Sequence, residues 1–204
     1  MLDATLIWSD DAVEVRRTVV GPLTTNVYVI TCRRTGDSTL IDPADDPDGL
    51  RAIATRHRVA TVLATHGHAD HVGALERLSS ADRLAWMNDA DAALVPSPTR
   101  HLSDGMEIAV GALRVTAHHT PGHTPGSTCL TVAGTPLLFA GDTLFPGGPG
   151  ATHFPGGDFP TIIRSIEDRL LTLPDATIVW PGHGEPTTIG SERPRLAEWV
   201  ARGW

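Results

Sequence analysis

Val59-Ala60-Thr61-Val62-Leu63-Ala64-Thr65 is a run of small and apolar residues, and it leads directly into His66-Gly67-His68-Ala69-Asp70-His71. The first part reads as a strand. The second packs three imidazoles and a carboxylate into six residues, so the strand delivers a metal site. His66 and His68 stand two apart, and at the fraying end of an extended chain both can point the same way. Asp70 and His71 can then swing to a second ion as the chain turns into the helix that follows. Nitrogen and oxygen donors without thiolate suit zinc, iron or manganese.

Further along, the pattern of an apolar run followed by a Gly-flanked His or Asp recurs. Leu113 to Ala117 precedes Thr120-Pro121-Gly122-His123, Leu137 to Ala140 precedes Gly141-Asp142-Thr143-Leu144-Phe145, and Thr177 to Trp180 precedes Pro181-Gly182-His183-Gly184. Gly and Pro let the backbone turn tightly and bring each donor to one edge of the sheets. Seven donors, His66, His68, Asp70, His71, His123, Asp142 and His183, thus stand at strand ends.

The remaining chain supplies the scaffold. Val13 to Val15, Asn26 to Thr31 and Ser38 to Asp42 read as three opening strands, the last two joined at Thr35-Gly36-Asp37. Asp42, between a strand and Pro43, can cap the next helix or stand behind the metal site as a partner to a ligand. Apolar residues at helical spacing predict helices over Asp48 to His57, Val72 to Leu78, Pro160 to Leu173 and Ser191 to Trp204, the last with Leu196, Trp199 and Val200 facing inward. Leu84 to Met87 reads as a short strand and Asp89 to Leu94 as a short helix, broken at Pro96-Ser97-Pro98. Gly105 to Val110 and Leu113 to Ala117 form a hairpin around Gly111, and Thr128 to Val132 is a further strand. Trp86 and Trp180 are expected in the core, His118 and His119 in strand-end hydrogen bonds, and Asp158 as a helix cap.

At 204 residues the chain is expected to form one domain, residues 1–204. A net charge of -8, with no cluster of basic and aromatic residues, argues against nucleic acid as a partner. The acidic amino terminus and the lack of a long apolar run predict a cytoplasmic protein with no membrane partner. Cys32 and Cys129 read as core thiols. All 16 basic residues are arginine, so a lysine nucleophile or Schiff base is ruled out.

On these segments the sequence resembles the metallo-β-lactamase superfamily from about Asn26 to the end. It looks most like the short bacterial glyoxalase II-type hydrolases, because Gly-Asp-Thr-Leu-Phe, Phe-Pro-Gly-Gly-Asp and Pro-Gly-His-Gly occur in their order. The resemblance implies an α+β fold, a four-layer αββα sandwich. It implies one metal on His66, His68 and His123, a second on Asp70, His71 and His183, and Asp142 bridging both, with zinc the first choice and iron or manganese as alternatives. A flavodiiron protein would be expected to place an acid at position 68, and a subclass of true β-lactamases a cysteine at 142. A lactonase of this fold would offer a tyrosine near the metals, whereas the only tyrosine is Tyr28. Longer glyoxalases carry a helical carboxy-terminal domain, but only 21 residues follow His183. Their Arg after a Gly-Gly-Cys-Gly turn corresponds to Ala151.

The function implied is hydrolysis of a small-molecule thioester, such as S-lactoylglutathione or the conjugate of another small thiol, by metal-bound hydroxide that Asp70 orients. The alternatives are a mononuclear-iron persulfide dioxygenase using His66, His123 and Asp142, another hydrolase of the same fold acting on lactones or β-lactams, and a non-catalytic metal-stabilised binding module. His153 and Phe154, in the loop from Pro146 to Asp158, are the candidate substrate contacts. Nothing in the sequence specifies an oligomeric state.

Overall fold

Strand residues that are apolar on both sides need a cover on both faces of their sheet, and this chain has several such strands. In Thr25–Cys32, Val27 and Val29 enter one buried cluster while Tyr28 and Ile30 enter another. In Thr128–Val132, Leu130 and Val132 face the second cluster, while Cys129 faces a third. The computed structural model, which describes residues 2–95 and 99–203, resolves this into two sheets face to face with helices outside each.

The first sheet has seven strands, with spatial order following chain order: Thr5–Ser9, Val13–Val20, Thr25–Cys32, Ser38–Ile41, Val59–Leu63, Leu84–Met87 and Arg100–His101. Its first four strands are antiparallel and its last four parallel. The second sheet runs Thr187–Thr188, Ile178–Pro181, Leu137–Gly141, Thr128–Val132, Leu113–His119, Glu107–Val110, with one parallel pair between Leu137–Gly141 and Ile178–Pro181. The cluster between the sheets includes Val15, Ile30, Leu63, Val115, Leu130 and Phe139. Leu50, Ile53 and Leu75 of the outer helices cover the first sheet, and Ile162, Ile166, Leu170 and Trp199 cover the second. This is the four-layer αββα sandwich.

Boundaries depart from the sequence reading where local contacts outweigh periodicity. An edge strand, Thr5–Ser9, precedes the three expected at the start. The helix expected over Val72 to Leu78 is two single turns, Ala69–Val72 and Leu75–Leu78. At the break the Ala74 N–H leaves the helical ladder and donates to Pro43 O at 2.9 Å, and Gly73 lies hard against the Ala44 carbonyl. The Pro160 to Leu173 helix is α-helical only over Phe159–Ser165 and continues as a π-helical turn, Ile166–Leu170. Its first turn is capped by Asp158, whose carboxylate accepts from Thr161 N–H at 2.9 Å. The terminal helix is divided into Ile189–Glu192, a 3-10 turn at Arg193–Arg195 and Leu196–Arg202. Pro194 lies in that turn and has no N–H for an unbroken α ladder. Trp199 is buried and Leu196 partly so, but Val200 points outward at 54% exposed. Trp86 is half-buried, with the Arg100 guanidinium 5.4 Å above its ring. The expected break at Pro96-Ser97-Pro98 lies outside the described residues.

At one edge the sheets close on each other. Thr128 N–H donates to Thr65 O at 2.8 Å, and Asn26 N–H to Gly182 O at 2.7 Å, both between segments of different sheets. The turn after Ile178–Pro181 is held further by the Tyr28 hydroxyl, which donates to Pro181 O at 2.6 Å, and by the Asn26 amide, which donates to Pro181 O and Gly184 O at 3.0 and 2.9 Å. All seven sequence-identified donors stand along this edge. Among the described residues no helix is long and apolar enough to cross a membrane.

Candidate metal centre

Each donor is presented by a chain leaving a strand. His66 and His68 follow Val59–Leu63, Asp70 and His71 lie in the single helical turn beyond, His123 follows Leu113–His119, Asp142 follows Leu137–Gly141, and His183 follows Ile178–Pro181. The structure gathers them into three overlapping groups: His66, His68 and His123; His66, His71 and Asp142; Asp70, His71 and His183. Gly182 permits this convergence, since a Cβ there would collide with the Asp142 carboxylate and the His71 ring.

The spacings are those of a coordination shell. His68 Nδ1 and His123 Nε2 are 3.0 Å apart, His71 Nε2 and His183 Nε2 3.2 Å, and His183 Nε2 and Asp70 Oδ2 3.2 Å. Asp142 reaches both groups, with Oδ1 3.4 Å from His71 Nε2 and Oδ2 3.5 Å from His183 Nε2 and 3.7 Å from His123 Nε2. Ligands about 2.0–2.1 Å from a tetrahedral ion lie about 3.3–3.4 Å from one another. His66 Nε2 and Asp142 Oδ1 are buried without any hydrogen-bond partner. Such atoms are costly to bury, and a cation would satisfy both.

Second partners fix which ring nitrogen faces inward. His123 Nδ1–H donates to Ala151 O at 2.7 Å, and His183 Nδ1–H to Leu23 O at 3.0 Å. Asp42 accepts from His71 Nδ1–H at 2.9 Å, from Thr65 N–H at 2.8 Å and from the Thr65 hydroxyl at 2.9 Å. Because the Thr65 proton is engaged with Asp42, its oxygen accepts from His66 Nδ1–H at 3.1 Å. Four imidazoles are therefore held with Nε2 free, the arrangement that metal-ligating histidines require. The helix-capping reading of Asp42 is not realised: Asp46 caps that helix, accepting from Gly49 N–H at 3.0 Å. Thr65 and the carbonyls of Ala151 and Leu23 escaped sequence reading. A threonine beside a histidine suggests little, and backbone carbonyls leave no signature.

Electrostatics divide the centre. Burial holds His66 well below the usual histidine range and lowers His68 and His123 as well, so these three present neutral lone pairs. His183 is pushed up to about 10 by its contacts with Asp142 and Asp70. His71 is held well above its usual range although burial opposes this, because Asp142 and Asp42 outweigh it. Asp142 is kept well below the carboxylate range against its own burial by His71 and His183. Protons and divalent cations compete for the same lone pairs, so a metal ion taken up at His71 and His183 would release protons.

A cavity of about 490 Å³ opens over this cluster, lined by Leu23, Ala69 and Phe154 besides the donors His68, Asp70, His123, Asp142 and His183. Phe154 is 46% exposed, with its ring 5.6 Å from that of His68, whereas His153 packs on Phe154 and does not line the cavity. The other wall comes from Leu23, 60% exposed, in a turn that sequence reading passed over. His118 and His119 bond to Thr131 and Pro125 O, away from the donors. Cys32 and Cys129 are free and buried.

A profile of the Metallo-beta-lactamase superfamily matches residues 20–183. The chain is 34% identical over 179 residues to hydroxyacylglutathione hydrolase GloC of Haemophilus influenzae, covering 77% of this chain and 84% of that protein. It is 32% identical over 200 residues to the probable metallo-hydrolase YqgX of Bacillus subtilis, covering 87% and 93%. Among solved structures it is similar to TTHA1623 in a di-iron-bound form, with TM-score 0.77, 32% identity, and 87% of this chain and 96% of that one covered.

Proposed function

Since the chain belongs to the metallo-β-lactamase superfamily, whose members named above include metallo-hydrolases, we propose that it hydrolyses a small-thiol thioester with two divalent metal ions. The observation that carries this reading is the seven-donor cluster with four imidazoles locked by outer partners. His66, His68 and His123 would hold one ion and Asp70, His71 and His183 the other, with Asp142 between them. Two bound ions supply a Lewis acid for the scissile carbonyl and lower the pKa of water toward neutrality.

The chain's own residues do the rest. Asp70, at the cavity wall with its side chain 27% exposed, accepts a hydrogen bond from the attacking water and orients it. Leu23 and Phe154 wall the cavity and offer apolar contact to the substrate beside the reacting group. A second hollow of about 340 Å³ shares Leu23, Ala69 and Asp70 with the first and continues past Pro22 and Ala44 to Asp45. Neither hollow is lined by an arginine among the described residues, and the chain has no lysine. The carboxylates of glutathione would meet no arginine or lysine there, so the lining favours a conjugate whose thiol half is uncharged, carrying a short 2-hydroxyacyl group.

Zinc is the proposed metal, with iron the alternative that the di-iron relative brings forward. The persulfide dioxygenase reading would use only His66, His123 and Asp142, and leaves the Asp70, His71 and His183 group without a role. Metal analysis combined with a panel of lactoyl thioesters tests the proposal. Two ions per chain and hydrolysis of thioesters are expected, faster for uncharged thiols than for glutathione. A single iron with oxygen consumption on a thiol persulfide would overturn it.

A further inference from the structure

Asp91 is 0% exposed and serves none of the seven-donor groups. Its partners are three neutral donors: Oδ2 accepts from Gly67 N–H at 2.9 Å and from the Thr124 hydroxyl at 2.7 Å, and Oδ1 accepts from Gly126 N–H at 2.7 Å. Gly67 lies between His66 and His68, and Thr124 follows His123. One carboxylate therefore spans the two loops that carry the three imidazoles of the first group, from a 3-10 helix, Asp89–Leu94, that contributes no ligand. A buried carboxylate is costly unless fully bonded, and here every bond goes to those loops.

The fit is close as well as polar. A Cβ at Gly126 would lie 2.6 Å from Asp91 Cγ, and one at Gly67 would lie 3.0 Å from Asp91 Cβ. Both glycines are needed for the backbone to reach the carboxylate. Asparagine cannot replace it: an amide in either orientation turns its NH₂ toward one of the two backbone N–H groups, whereas a carboxylate accepts on both sides.

We propose that Asp91 is the positioning residue for the His66, His68 and His123 metal site, setting the separation of the two loops and so the affinity of that ion alone. The second site stands outside its reach, because its two imidazoles, His71 and His183, are braced by Asp42 and by the carbonyl of Leu23 instead. This inference rests on the two-ion reading.

The test counts zinc retained by the loaded protein during titration with a chelator. Wild type is expected to hold two ions, and D91N to release one of them about 10- to 100-fold more readily while keeping the other as wild type does. T124V, which removes one of the three bonds together with the Thr124–Ser127 hydroxyl contact within the same loop, should weaken the same ion by less, and it carries the test if D91N does not fold. Adding D91N to H183A, which keeps the first-site ion, should release that ion. Adding it to H68A, which keeps the second-site ion, should change nothing. The control is I53A, in the remote cluster under the first sheet, which lowers the thermal midpoint without separating the ions. Parallel release of both ions in D91N, or wild-type retention of both in D91N and T124V, overturns the assignment. A wild-type stoichiometry of one defeats the two-ion reading instead, and the positioning role then stands only if D91N weakens that ion more than I53A does.

Discussion

The two halves of the centre are built from similar side chains but held in opposite ways. His66, His68 and His123 are lowered by burial, and their loops are pinned from within by a buried carboxylate and the Ala151 carbonyl. Asp70, His71 and His183 share their charge with carboxylates that raise both imidazoles, and the His183 turn hangs on hydrogen bonds from the facing sheet. The first half is a pocket of neutral donors. The second is an ion-paired network in which a cation would have to displace protons. A substitution that touches both halves should therefore do most damage, and one confined to a single half should separate the ions.

Asp142 is the side chain common to both halves, within 3.7 Å of His71, His123 and His183. D142A is expected to lower bound metal to one ion or fewer and thioester hydrolysis by at least on the order of 10³-fold. Metal analysis and initial rates on the same preparation check this, and retention of two ions at full rate would remove the bridging role. Asp42 comes next. It fixes His71 directly and His66 only through Thr65, so D42N should weaken the second ion by about 10- to 100-fold and the first by less. Equal weakening would mean that Thr65 relays as much as Asp42 gives.

The cavity walls should act on substrate and leave both ions in place. L23A and F154A each remove a large apolar contact, worth roughly 1–2 kcal/mol if the substrate buries it. The expected result is a KM raised roughly five- to thirtyfold with kcat nearly held and bound metal at the wild-type level. A fall in kcat with KM unchanged would place these side chains at the reacting atoms instead.

How far the sequence reveals this division depends on what kind of group does the work. The seven donors are legible because His and Asp gathered just beyond apolar runs, five of them beside Gly, are rare by chance. The layers follow in the sequence only from the family resemblance, and the structure supplies their physical sign, Val27-Tyr28-Val29-Ile30 being apolar on both strand faces. Asp91 is not legible: in Asp89-Ala90-Asp91-Ala92 it looks like one of two solvated acids, and only the fold shows that its neighbour Asp89 is exposed while Asp91 is not. Leu23 is hidden for the opposite reason, since its carbonyl orients His183 and its side chain walls the cavity from a turn without apolar periodicity. Helix lengths fail where the tertiary structure claims a backbone group, as Pro43 O does with Ala74 N–H.

The smallest expected effect probes the facing-sheet brace of the second half. Tyr28 is buried, and its hydroxyl donates to Pro181 O, the carbonyl two residues before His183. In Y28F that carbonyl keeps its bond from the Asn26 amide at 3.0 Å, so it is not orphaned and the loss should be near 1 kcal/mol. The ring is unchanged and keeps its edge contacts with Phe139 and Trp180, at centroid distances of 5.1 and 6.1 Å. Chelator titration should show the second ion leaving a few-fold more readily while the first keeps its wild-type affinity. If the first ion moves instead, the brace acts through the packing between the sheets rather than through the His183 turn, and the division of the centre into independently held halves fails at this edge.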